Sequence, residues 1–205
     1  MFTKLLTFCM MCLLYASSIF AKESDSDSGR YFIGTSAFVI ANLVPNQENP
    51  PNFAQLNLGY WLTSRDVISL EAVTWKYNAP KGIPYGSSFD DPKNGFPGYV
   101  REAGIGIAYQ RFFWNGLYTG IHAQPLYQQF KDTVDNSVQK SFTLFMTFRV
   151  GYHIKLFKNN VFIEPSLACT YWPISTNIPE SFERVENKWP NYFLFEPGLH
   201  LGVKF

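Results

Sequence analysis

The chain has 205 residues, with 17 Lys and Arg against 16 Asp and Glu and a formal net charge of +1. So even a balance leaves no electrostatic footprint for nucleic acid. No apolar run reaches the length of a spanning helix, yet aromatic residues make up 18% of the chain and charged ones 16%, a balance that points to strands.

The N-terminus reads as a targeting segment. Lys4 supplies a positive start, and residues 5–15 form an apolar run of signal-peptide length. Ala16-Ser17-Ser18 and Ile19-Phe20-Ala21 offer two cleavage sites, with cutting after Ala21 favoured. Cys9 and Cys12 fall within this segment and outside any lipoprotein box, which leaves Cys169 alone and rules out an intramolecular disulfide. The expected organisation is a signal peptide over 1–21, a polar leader over 22–29 and one domain over 30–205.

Eight strand-like segments follow, at 30–44, 52–62, 66–78, 98–113, 117–131, 140–157, 161–175 and 191–205. In the sixth, Phe142, Leu144, Met146, Phe148, Val150, Tyr152, Ile154 and Leu156 share one face. Ser141, Thr143, Thr147, Arg149, Gly151, His153 and Lys155 share the other, with Phe145 the exception. The last segment repeats the pattern. Phe193, Phe195, Leu199, Leu201, Val203 and Phe205 alternate with Tyr192, Glu196, Gly198, His200, Gly202 and Lys204, with Pro197 the break on the apolar face and Leu194 the apolar exception on the other.

The connections alternate too. Thr63-Ser64-Arg65, Trp114-Asn115-Gly116 and Lys158-Asn159-Asn160 are tight, whereas 45–51, 79–97, 132–139 and 176–190 are long and rich in Pro, Gly, Asn, Asp and Ser. Aromatic residues gather near segment ends (Tyr31, Phe32, Trp61, Trp75, Tyr99, Phe112, Phe113, Trp114, Phe157, Tyr171, Trp172, Trp189 and Phe205). Girdles at two membrane interfaces predict such clustering. A soluble sandwich or lipocalin-like barrel would instead bury the aromatic face as its core. The loop asymmetry and the terminal aromatic strand favour the membrane version.

On these residues the chain resembles the small eight-stranded outer-membrane barrels of the OmpA/OmpX type. The resemblance covers about residues 30–205, including the closing strand Glu196-Pro-Gly-Leu-His-Leu-Gly-Val-Lys-Phe205. It implies an all-β, antiparallel up-and-down transmembrane barrel and a monomer in a Gram-negative outer membrane. Leu199, Leu201, Val203 and Phe205 would then form the closing signal read by the barrel-assembly machinery. Lipids would surround the wall, and the loops 79–97 and 176–190 would face an extracellular partner. The architecture itself hosts anchors, host-contact proteins, small transport barrels and lipid-modifying enzymes.

Chemistry, if present, belongs to the inward face. Alternation turns Glu71, Glu102, His122, Arg149, His153, Glu164, Glu196, His200 and Lys204 inward. Counting from the short turns puts Glu71, His122, His153, Glu164 and His200 in one lower layer, with Arg149 and Glu196 near mid-barrel and Glu102 higher. The leading reading is a polar network that fills a narrow lumen, because buried charges need partners. A metal set from the three His and two Glu lacks any tight spacing such as His-x-His, so no metal or other cofactor is expected. A gated proton or small-solute path through the same layer is the alternative function.

A lipid acyltransferase or deacylase would need a nucleophile and base facing the outer leaflet. Ser87, Ser88, Asp90, Asp91 and Ser181 lie in the long loops without a His, and no catalytic residue is assigned. Gly104-Ile-Gly-Ile lacks the third Gly and the helix of a nucleotide motif. Pro125, Pro165 and Pro197 are expected to mark bulges or bends. Tyr85, Phe89, Phe96, Ile178, Phe182 and Trp189 are candidates to contact a partner, to fold onto the rim or to enter lipid headgroups.

Overall fold

A computed structural model describes residues 29–45, 50–80, 95–157, 160–188, 191 and 194–205. The expected signal peptide, nearly all of the leader, the turn at 158–159, Trp189 and most of the 79–97 loop, with Ser87, Ser88, Asp90 and Asp91, lie outside them. The described strands are β1 (Tyr31–Ser36), β2 (Ala54–Trp61), β3 (Asp66–Tyr77), β4 (Gly98–Trp114), β5 (Leu117–Asp132), β6 (Ser137–Tyr152), β7 (Ile154–Leu156), β8 (Val161–Ser175) and β9 (Leu194–Lys204). β7 continues β6 after a break at His153, and both pair with β8. β1 pairs with β9, so the antiparallel sheet closes on itself. These segments make the eight staves of an up-and-down barrel. Closure leaves no sheet edge running the full height of the wall.

Local chemistry explains the tight end. Asn115 and Gly116 take φ of 44° and 92° between β4 and β5, the left-handed pair that a two-residue hairpin requires. At the terminus, Phe205 N–H donates to Tyr31 O at 2.9 Å and Tyr31 N–H donates to Phe205 O at 3.1 Å. The last residue is thereby tied to the first strand.

Three features depart from expectation. β1 is short, because the chain turns at Ser36 into a 3-10 helix over Ala37–Leu43. Ser36 Oγ accepts from Phe38 N–H at 3.2 Å. The Asn42 amide then takes over strand pairing: it donates to Phe53 O at 2.7 Å and accepts from Phe53 N–H at 2.8 Å.

The second departure is helix α1 (Glu180–Glu186), inside the long 176–190 loop. Pro179 precedes it, and Phe182 and Val185, three positions apart, share its buried face.

The third is that Pro125, Pro165 and Pro197 coincide with none of the bulges, whereas Trp172 and Pro173 lie opposite the single residue Phe145 at one of them. Register shifts fall at Phe112/Trp114, Phe130/Lys131 and Leu144/Met146. At Pro125 the β4–β5 pairing lapses between Gly104↔Leu126 and Ile107↔Ala123, then resumes in the same register. A missing donor interrupts the ladder there without an inserted residue. Gly104 and Gly106 let the strands close over the interruption. A Cβ at Gly104 would lie 2.2 Å from Pro125 O, and one at Gly106 2.5 Å from Ala123 O. That packing accounts for the Gly-x-Gly spacing.

Candidate functional site

Inward residues stack into layers along the lumen, alternately apolar and polar. The floor, at the short-turn end, buries Phe32, Val67, Phe112, Tyr118 and Phe162, with Trp61 packed against them. Three of these rings each face a glycine across the ladder: Phe32↔Gly59, Tyr118↔Gly151 and Phe162↔Gly202. A Cβ would approach the facing rings to 1.9 Å at Gly59, 2.6 Å at Gly151 and 2.3 Å at Gly202. Only a bare backbone leaves room for a ring laid across the neighbouring strand. His153 sits among them, stacked on Phe162 with centroids 4.9 Å apart and edge-on to Phe112 at 5.5 Å. Lys204 Nζ lies 4.7 Å from the Trp61 ring centroid.

Above the floor is the main polar layer. Glu71 Oε2 meets His122 Nδ1 at 2.9 Å and accepts from Gln124 Nε2 at 2.8 Å. Glu164 Oε1 meets His153 Nδ1 at 2.7 Å, and Gln110 Nε2 donates to Glu164 Oε2 at 3.3 Å. Arg149 Nη1 donates to Ser166 Oγ at 2.8 Å and to His200 Nδ1 at 3.2 Å. Glu71, His122, Arg149, Glu164 and His200 border one small cavity. Tyr118 Oη and His122 Nε2 are buried beside it, with no protein hydrogen bond among the described residues.

An apolar layer of Phe53, Val73 and Leu126, joined by Trp75 and Phe145, caps this chamber. Above it Glu102 accepts from Gln128 Nε2 and from Tyr77 Oη, the latter at 3.0 Å. Ser141 Oγ donates to Gln128 Oε1 at 2.9 Å. At the top Phe182 and Val185 of α1 rest on Phe96, Val100 and Phe130.

The structure therefore gathers five of the inward ionisable residues around one cavity and links His153 to them through Glu164. Arg149 joins this layer through its side chain: its backbone lies opposite Ala168, four positions above Glu164 on β8, and its guanidinium reaches down to Ser166 and His200. Glu102 is separate, above the apolar layer. Glu196 is half-buried with its backbone opposite Ala168, and Lys204 belongs to the floor. Leu199, Leu201, Val203 and Phe205 all face outward.

Sequence reasoning passed over Gln110, Gln124, Gln128 and Tyr77, which share the parity of the ionisable residues and hydrogen-bond to Glu164, Glu71 and Glu102, and Tyr118, which shares that parity and lies beside the cavity. It also assigned Phe32, Trp61, Trp75, Phe112 and Trp172 to interface girdles. They pack inside the lumen, whereas Tyr31, Trp114, Phe157 and Phe205 are exposed. Among the described residues, no three His, Cys, Asp or Glu side chains converge as a metal set.

No protein-family model and no curated protein matches the chain. Among solved structures it is similar to the N-terminal β-barrel domain of Pseudomonas aeruginosa OprF. The two are 14% identical with a TM-score of 0.39, over 87% of this chain and 98% of that one.

Proposed function

We propose that the chain is a bacterial outer-membrane barrel with a filled lumen and a structural or surface-contact role. One observation carries the membrane reading. By alternation, Asp66, Lys76, Arg101 and Arg111 face outward, and they are directly paired as Asp66↔Arg111 and Lys76↔Arg101. The two charged rows lie ten positions apart on both strands (66 to 76, 101 to 111). At about 3.3 Å per residue and a tilt near 40°, that is about 25 Å along the barrel axis. Lipid-facing bands of outer-membrane barrels have this height. Between the rows, Ile68, Leu70, Ile105 and Ile107 are 44%, 49%, 60% and 66% exposed. A water-soluble wall would not hold so continuous an apolar band open to solvent.

The layered interior supports the filled lumen. Two apolar layers, around Leu126 and around Phe182, lie between the polar chamber and the outer mouth. The rival, a narrow proton or small-solute path, draws on the cavity bordered by His122 and Arg149 but needs a wet route past both layers. The proposed role is not enzymatic: His122, His153 and His200 all lie below the Leu126 layer, far from the outer-leaflet end. On α1, the exposed residues left for a surface partner are Glu180, Ser181, Glu183 and Arg184, since Phe96 and Phe182 are turned inward.

Refolding separates these readings. The mature chain should fold only with detergent or lipid and should give no single-channel conductance in a planar bilayer. A folded, dispersed protein in plain buffer would overturn the membrane reading. Steady conductance in the wild-type chain would overturn the filled lumen.

A further inference from the structure

We infer that the 3-10 segment Ala37–Leu43 is a lipid-docking anchor, which inserts its apolar side chains among acyl chains at the outer rim. The inference rests on the membrane reading above and adds a specific lipid contact to it.

The segment occupies a gap in the wall. The last β1–β9 pair is Ser36↔His200, yet β9 continues upward to Leu194. Among the described residues, only β8 pairs as a strand with that upper part of β9. The 3-10 segment takes the place that upper β1 would fill, between β9 and β2.

It is also held in position. Thr35 Oγ1 donates to Gln55 O at 2.7 Å, Asn42 makes its two bonds to the Phe53 backbone, and the Phe38 ring meets the Phe53 ring edge-on at 5.0 Å. Pinned this way, it is still apolar and open. None of its residues is buried. Phe38, Ile40 and Leu43 are 55%, 61% and 77% exposed, and the next residue, Val44, is 54% exposed. No charged residue occurs between Tyr31 and Pro45, and the Asn42 amide is already used.

Its level and surroundings specify the occupant. Ala54, beside the segment, pairs with Thr74, one outward position inside the row that ends at Lys76↔Arg101. The segment therefore lies at the upper boundary of the apolar band. Flanking strands carry that band up to it through Ile33, Leu56, Leu199 and Leu201, all exposed. A protein interface typically carries about one hydrogen bond per 100–200 Å², and this surface has no charged side chain and its Asn42 amide is already used. Acyl chains need only apolar area, and they already cover the adjoining wall.

Depth-dependent quenching tests this. In a Cys169→Ser background, single substitutions Ile40→Cys, Leu70→Cys and Val134→Cys each carry an NBD fluorophore. The proteins are refolded into phosphatidylcholine vesicles with or without a doxyl-labelled phosphatidylcholine. Leu70 lies in the apolar band, and Val134, 73% exposed, lies in the turn between β5 and β6.

The probes at 40 and 70 should show a several-fold excess of lipid over iodide quenching, and the probe at 134 the reverse. Lipid quenching at 70 with iodide quenching at 40 would overturn the anchor and leave the membrane reading intact. Shielding of position 40 from both quenchers would assign its cover to protein and also overturn the anchor. Iodide quenching at 70 would remove the membrane reading itself. As an independent check, paired Ile40→Ser and Leu43→Ser changes should raise amide exchange around Asn42 and Phe53 several-fold while β4–β5 exchange holds. Unchanged exchange at both places would count against the anchor.

Discussion

The two ends of the lumen are closed by different means. At the short-turn end, Phe32, Val67, Phe112, Tyr118 and Phe162 come from five strands and meet as a floor. At the long-loop end, the seven-residue helix α1 lays Phe182 and Val185 over Phe96, Val100 and Phe130. A floor ring can leave only if a hydrogen-bonded ladder opens, whereas a lid ring leaves when one loop swings. The floor should therefore share the stability of the whole barrel, and the lid should have an opening free energy of its own.

The strongest way to break this contrast is Phe112→Ala. Phe112 is buried against Tyr118, with ring centroids 5.4 Å apart, and against Trp61 at 4.8 Å. Truncation should cost about 3–5 kcal/mol, read as a fall in the urea midpoint of the refolded barrel. A change near zero would mean the floor is not part of the cooperative unit. Gly151→Ala probes the same floor by overfilling it. The new methyl would fall 2.5 Å from Tyr118 Oη, and the Tyr118 ring is fully buried with little room to retreat. Overpacking should cost about 1–3 kcal/mol. A neutral outcome in the same urea assay would show that Tyr118 can move.

Phe182→Ala sharpens the other side. Phe182 is as well buried as the floor rings, at 1% exposure. Burial alone would forecast a loss like that of Phe112→Ala. If the lid opens independently, the global midpoint should shift by less than about 1 kcal/mol. Amide exchange and proteolysis within 180–186 should instead rise at least tenfold. Equal global losses for the two variants would erase the distinction between floor and lid.

How much of this was legible in the sequence follows from the same difference. Strand parity carried the wall, the ring closure and the inward set Glu71, His122, Glu164 and His200, because a period of two fixes which face each residue takes. Parity also held the floor. Phe32, Phe112 and Phe162 share the inward phase with Gly34, Gln110 and Glu164, but their position near segment ends suggested interface girdles instead. The cross-strand glycines Gly59, Gly151 and Gly202 were the overlooked signal, since which residue faces which depends on register. Helix α1 was hidden for another reason. Seven residues with two apolar positions give too short a pattern to separate from a loop, and only the lumen mouth makes burying Phe182 and Val185 worthwhile. The shortening of β1 was hidden too. Residues 30–44 have strand composition throughout, and the turn at Ser36 depends on Asn42 reaching Phe53, a contact 11 positions away in the chain.

The smallest expected effect lies beside the lid, in the turn between β5 and β6. The Asp135 carboxylate accepts from the Tyr99 hydroxyl and pairs with Lys131 Nζ at 3.4 Å. The Tyr99 hydrogen bond, and then Lys131, hold its carboxyl below the ordinary carboxylate range. A group whose folded pKa is depressed stabilises the fold above its unfolded pKa and loses that contribution as pH falls through the folded value. The turn should therefore be firm at neutral pH and loosen below about pH 4. Asp135 is fully exposed, so solvent screens the interaction and the global midpoint should not follow. Amide exchange at Val134 and Asn136 is the sensitive measurement. It should rise on acidification in the wild type, and in Tyr99→Phe it should already be raised at neutral pH and respond less to acid. The same acid response in both proteins would mean that Tyr99 does not hold the turn, and that this corner of the rim is fixed by the strands alone, as the floor is.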